Sequence, residues 1–167
     1  RHLAALGCQR VLCNDTVPNH AVAPEFKVEW VAKEVIYREA DMISLHVPLT
    51  IHTKNMIRAE QIATMKSDAL LINTSRGGII NEADLAAALR TAVIGGVAID
   101  VFEHEPYNGE LATLDRCLLT SHMGSMSIDC RTRMEIEATD EAVRFLTGQP
   151  LGRLVPQEEY DVHRQGL

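Results

Sequence analysis

The chain has 167 residues, a formal charge of −7 with acids and bases interspersed, and 46% hydrophobic residues. That is enough for one globular domain, the charge balance argues against a nucleic-acid surface, and the apolar runs are too short to span a bilayer. Cys8, Cys13, Cys117 and Cys130 form neither a CxxC pair nor a disulfide-framework spacing, so free thiols and a cytoplasmic location are expected.

Residues 1–7 read as the last turns of a helix, so a preceding segment is expected. Residues 9–15 then read as a strand ending in an acid, the second strand of a dinucleotide-binding unit. In such a unit the acid follows a glycine fingerprint by roughly 20 residues, which places the fingerprint about five residues ahead of Arg1. No GxGxxG occurs in the 167 residues. Val28, Val31 and Val35 mark one face of a helix, with Glu34 and Arg38 spaced as an i,i+4 pair. A strand-like run follows at 42–47, and Ile62 with Met65 marks a shorter helix.

Residues 69–73 form an apolar, branched run, the pattern of a strand buried on both faces of a parallel sheet. After the tight polar crossing at 74–78, Asn81 can cap a helix. Asp84 is placed to answer that cap, and Leu85, Ala88, Leu89 and Ala92 recur at helical spacing. Strand-like runs at 94–99 and 117–120 are followed by a long helix from 128 to 146, with Ala138, Ala142, Phe145 and Leu146 on one side. Gly148 and Pro150 stop it, and 151–167 is a polar tail.

Alternating strands and helices predict an α/β fold with a doubly wound parallel sheet, incomplete because its first strand and glycine loop are not in the sequence. The missing strand is expected between runs 10–13 and 69–73. Run 10–13 should then pair with 42–47, and 69–73 with 94–99, with no ladder between the two groups.

Open α/β sheets bind ligands at the carboxyl ends of their strands. Three consecutive strand ends there supply Arg76, the acids of 100–106, and His122. Singly, these read as a surface arginine, solvated loop acids and an exposed histidine. Together on one rim they form a constellation that those separate readings do not explain. A zinc site is not expected, because no His/Cys cluster has ligand spacing.

The segments LHVPLT (45–50), NTSRGGIINE (73–82), AIDVFEHEP (98–106) and TSHMGS (120–125), in this order and spacing, resemble the nucleotide-binding domain of the D-isomer-specific 2-hydroxyacid dehydrogenases. The resemblance covers nearly all of residues 1–150 and implies an NAD-dependent oxidoreductase acting on a D-2-hydroxy acid or 2-keto acid, with 3-phosphoglycerate the first guess. It implies that Arg76 holds the substrate carboxylate and carbonyl oxygen, that His122 is the acid/base, and that Glu105 supports it. It implies cofactor contacts at Asp15 (adenosine ribose), at His46, Val47 and Pro48 (adenosine side), at Thr74, Ser75 and Arg76 (beside the cofactor), at Asp100 (near the nicotinamide amide), and at His122 and Gly124 (nicotinamide end). Asp15 has the alternative reading of a turn aspartate, and His46 equally reads as a structural strand-end histidine. A carboxylate at Asp15 would repel the extra phosphate of NADP, favouring NAD.

Two departures stand out. Ser121 occupies a position where most relatives have proline, and the second domain that closes over the substrate is not in this sequence. The resemblance also implies a homodimeric parent, with 1–150 a partial NAD-binding domain. The same three rim residues also occur in NAD-sensing scaffolds of the C-terminal-binding corepressor type, which is the alternative function.

Overall fold

A computed structural model describes residues 2–5, 7–20 and 28–155. A single helical turn, α1 (His2–Ala5), precedes β1 (Val11–Cys13) and β2 (Val28–Trp30). Then α2 (Lys33–Glu39), β3 (Met42–Leu45), α3 (Ala59–Ala63), β4 (Leu70–Asn73), α4 (Glu82–Arg90) and β5 (Gly96–Ile99) alternate. A 3-10 turn (Glu110–Thr113), β6 (Cys117–Leu119), a second 3-10 turn (Met123–Ser125) and α5 (Ile128–Leu146) complete the described chain. Among the described residues no helix is long and apolar enough to cross a membrane.

Among the described residues all strand pairs are parallel and fall into two sheets, β1-β2 and β3-β4-β5-β6. This corrects two expectations. Residues 28–30 form a strand rather than part of a helix, so Val11–Cys13 pairs with Val28–Trp30 and not with run 42–47. Met42–Leu45 instead pairs with Leu70–Asn73, giving a ladder between the two groups expected to be separate. The valine spacing at 28, 31 and 35 mimics a helix face, and a strand of three residues with a glutamate at its centre carries no apolar run to contradict it. The expected pairing of 69–73 with 94–99 holds. The observed order is that of a doubly wound sheet with its first strand left out, and the gap lies between β1 and β3, not between β1 and β4.

The core lies on one face of the larger sheet. Ile43, Leu45, Leu71, Val97 and Ile99 alternate along the strands and are buried in one cluster with Ile62 of α3 and Leu85 and Leu89 of α4, and the polar Asn73 is buried on the same face at the end of β4. Asn81 caps α4 by accepting from the Asp84 amide at 2.9 Å. The Asp84 carboxylate does not answer that cap. It accepts from the Ala59 amide at 2.9 Å and so ties α4 to the start of α3. Ala92 lies beyond the end of α4, exposed and at φ 55, rather than on its buried face.

The opposite face is only partly covered, so these strands are not buried on both sides. On that face Met42 and its register partner Leu70 are 54% and 42% exposed, and Leu118, one step along in the row of Ala98, is 66% exposed. Helix α5 has the expected bounds, but none of its residues is buried, and Phe145 and Leu146 are 72% and 81% exposed. The tail is described only to residue 155, and there Glu141 of α5 accepts from the Gly152 and Arg153 amides. The rest of 151–167 lies outside the described residues.

Candidate active site

The carboxyl ends of β4, β5 and β6 build the rim. At the end of β4, Asn73 is 2% exposed, and its side chain knots the turn that carries Arg76. Its amide donates to the Arg76 carbonyl at 2.8 Å, and its oxygen accepts from the Ser75 amide (3.1 Å) and hydroxyl (2.8 Å). The Arg76 guanidinium is exposed and donates to the Ser75 carbonyl at 2.7 Å; among the described residues it has no acidic partner. Thr74 is exposed beside it. The turn is braced from behind, where the Asn55 amide donates to the Gly78 carbonyl (2.7 Å) and Ile57 forms a bridge with Ile80.

The loop after β5 lies directly on this turn. A Cβ added to Gly77 would stand 1.9 Å from the Phe102 carbonyl oxygen, so the approach requires glycine. Within the loop, Phe102 stacks on Tyr107 with ring centroids 4.1 Å apart. The Phe102 amide donates to Glu105 Oε1 at 3.0 Å, while Glu105 Oε2 meets His122 Nδ1 at 3.0 Å. One carboxylate therefore grips its own loop with one oxygen and the histidine with the other. The Phe102 amide first, and then His122, hold the Glu105 carboxyl below its ordinary value.

His122 has φ 53 and ψ 52, in the left-handed region. Asp100, at the end of β5, holds it there. The His122 amide donates to the Asp100 carbonyl at 2.8 Å, and Asp100 Oδ1 accepts from Thr120 Oγ1 and, at 3.0 Å, from the Met123 amide. Burial alone would raise the Asp100 carboxyl, but the bonds from Thr120 and Met123 outweigh it, and the net direction is down. With Nδ1 directed to Glu105, Nε2 is the ring nitrogen left to exchange a proton.

The structure thus brings Glu105, His122 and Asp100 together and seats the Arg76 turn against the loop of Glu105. Gly124 is exposed in the 3-10 turn after His122. The remaining expected contacts lie elsewhere. His46 Nε2 is 2.8 Å from Ser44 Oγ at the end of β3. Val47 packs against the core, and the Pro48 carbonyl accepts from Thr53 Oγ1 at 2.6 Å. Asp15 is on the smaller sheet, exposed, with Oδ1 accepting from the Val17 amide (3.1 Å) and the Thr16 hydroxyl (3.3 Å). This is the turn-aspartate geometry, yet a carboxylate offers about four lone-pair sites, so a ribose hydroxyl can share it. Asn73 and Gly77 were not singled out from the sequence. The signal was available, since a polar residue closing a buried strand and a paired glycine at the ligand edge both demand a partner.

The pattern describing the D-isomer specific 2-hydroxyacid dehydrogenase NAD binding domain matches residues 1–124. The chain belongs to this family. It is 37% identical over 160 residues to a glyoxylate reductase of Korarchaeum cryptofilum, covering 95% of this chain and 48% of that protein. It is 36% identical over 142 residues to a D-3-phosphoglycerate dehydrogenase of Synechocystis, covering 84% and 26%. The structure of a D-lactate dehydrogenase with NAD+ from Lactobacillus jensenii superposes with a TM-score of 0.80 at 28% identity, over 93% of this chain and 50% of that one. The chain therefore spans about half the length or less of the relatives it matches. The Asp15 carboxylate and the rim side chains of Arg76 and His122 are exposed and so are accessible to a nucleotide, whereas the phosphate-cradling glycines of a dinucleotide site are not among the chain's residues.

Proposed function

We propose that the protein interconverts a 2-keto acid and a D-2-hydroxy acid with NAD as hydride carrier. Arg76 grips the substrate carboxylate and carbonyl oxygen, His122 moves the proton, and Glu105 orients the imidazole. The observation that carries this reading is the Glu105–His122 contact at 3.0 Å on the same rim as an arginine with no acidic partner among the described residues. A guanidinium without an internal counter-ion is available for bidentate recognition of a carboxylate. In keto-acid reduction His122 Nε2–H gives its proton to the ketone oxygen, and Glu105 stabilises the imidazolium beforehand and fixes the tautomer. NAD, when bound, supplies or accepts the hydride at C2.

Asp15 is assigned to the adenosine ribose, His46, Val47 and Pro48 to the adenosine side, Thr74 and Ser75 to a place beside the cofactor, and Asp100 and Gly124 to the nicotinamide end. Residues 1–150 act as part of an NAD-binding domain whose complete sheet has a strand between β1 and β3, and a homodimer is the proposed assembly. Glyoxylate is the first substrate to test, on the likeness to glyoxylate reductases, and 3-phosphoglycerate the second.

The test is a panel of 2-keto acids with NADH, run on the whole protein with His122→Ala and Arg76→Ala. Each substitution should lower turnover by roughly 10²–10⁴-fold while cofactor binding stays near that of the parent. Rates within a few-fold of the parent for both variants would remove the mechanism.

A further inference from the structure

Glu82, the first residue of α4, is not used by the chemistry above. An acid in the first turn of a helix ordinarily serves the helix dipole. Here Glu82 does something more particular, because its Oε1 accepts from the Glu103 amide at 2.7 Å, across from α4 to the loop that carries Glu105. Among the described residues, no other group outside that loop hydrogen-bonds the backbone of residues 101–106. The carboxylate is half-buried, and burial pushes it above its ordinary value, so the position is held at a desolvation cost. Behind it, a cavity of about 10 Å³ is bordered by Asn73, Gly77, Gly78, Glu82 and Leu111.

We propose that Glu82 is a positioning residue for the Glu105–His122 pair, fixing the acid loop against the arginine turn through the Glu103 amide. Apart from His122 itself, Glu105 is anchored to its own loop, at the Phe102 amide, so its distance to His122 follows wherever that loop sits. Gly77 allows the Phe102 carbonyl to approach the arginine turn but supplies no attraction of its own. The Glu82 bond supplies it. Since α4 begins at Glu82, six residues after Arg76 on the same continuous segment, one helix start sets both the substrate-gripping turn and the acid loop.

This rests on the proposed function, and the experiment separates the two. Glu82→Ala, Glu82→Gln and Glu105→Ala are made in the whole protein, and two quantities are followed: keto-acid reduction, split into kcat and KM, and the His122 Nδ1 resonance by NMR, which reports its hydrogen bond to Glu105. Glu82→Ala should lower kcat by roughly 10- to 100-fold, the scale of a small misplacement of reacting groups, with a smaller change in KM because Arg76 is untouched. Its His122 Nδ1 resonance should move toward that of Glu105→Ala, and Glu82→Gln, which retains an acceptor oxygen, should restore both. The proposal is overturned if Glu82→Ala lowers Tm but leaves the His122 Nδ1 resonance as in the parent, or if Gln is no better than Ala. If the parent reduces no 2-keto acid, the proposed function fails, and the ring resonance still decides the role of Glu82.

Discussion

The two sheets use the same parallel pairing and differ in what covers them. In β3–β6, alternate residues are buried against α3 and α4. In β1–β2 no residue is fully buried: Val11, Leu12 and Cys13 are half-exposed, and the pair is stitched by Arg10, which binds Glu29 bidentately (3.0 and 2.8 Å) and Glu39 of α2 at 3.0 Å. Exposed ion pairs contribute little, and an isolated two-stranded unit is marginal in water. The proposed chemistry divides along this line, with the reacting rim on the covered sheet and the ribose-binding acid on the marginal pair. Position matters more tightly at the rim than at a cofactor's distal end, and the covered sheet is where position is better fixed.

The sharpest way to break this contrast is to remove one leucine from each sheet. Leu71 is fully buried in β4, and Leu71→Ala should cost about 2–5 kcal/mol in urea unfolding. Leu12→Ala, from half-exposed β1, should cost less than about 1 kcal/mol, by proportion to the apolar area it buries. Equal losses would show that the two sheets unfold as one.

A smaller effect is expected from Asp100. Asp100→Ala leaves the Thr120 hydroxyl and Met123 amide without their acceptor and should cost about 1–3 kcal/mol. The pH dependence follows from the same bonds. Asp100 and Glu105 are both held below their ordinary values in the folded chain. Their stabilisation is therefore complete above the unfolded values, about 4, and is lost as pH falls through the lower folded values. Urea midpoints measured downward from pH 5 should fall in the parent and fall less steeply in Asp100→Ala. The Glu29 carboxyl is also lowered, by Arg10, but this fully exposed pair is screened by salt, so Glu29→Gln should leave the acid slope unchanged. Parallel slopes for the parent and Asp100→Ala would overturn the assignment.

The smallest effect concerns the marginal pair. In the whole protein Asp15→Ala should narrow the preference for NAD over NADP by roughly tenfold, the scale of one hydrogen bond to a charged group. Binding titrations showing that the parent already prefers NADPH would reverse the reading of Asp15.

What could be read from the sequence follows the same division. The four strands of the larger sheet and the bounds of α5 were legible because apolar runs and helical periodicity persist over enough residues to be distinctive. Val28–Trp30 was not, because three residues carry too short a pattern, and a valine just beyond the strand completes a false helical spacing. Missing it displaced the inferred gap in the sheet from beside β3 to beside β4. At the rim, the types and order of Arg76, Glu105 and His122 were legible, but their support was not. The bonds made by Asn73, Asp100 and Glu82 join residues distant in sequence, or replace a backbone partner with a side chain, and no local periodicity records such a choice.

The backbone at His122 also bears on how such an activity can be lost. Left-handed φ values are disfavoured for most side chains but are accepted with several-fold greater ease by asparagine, aspartate and histidine. A single-base change converts either histidine codon to an asparagine or aspartate codon. Removing the imidazole by that route leaves a residue already suited to the φ 53 conformation, and the Asp100 carbonyl still has an amide to accept from. The proposed catalysis at this corner is therefore genetically cheap to silence while the fold persists, so descendants with an intact sheet and no turnover are an accessible evolutionary outcome.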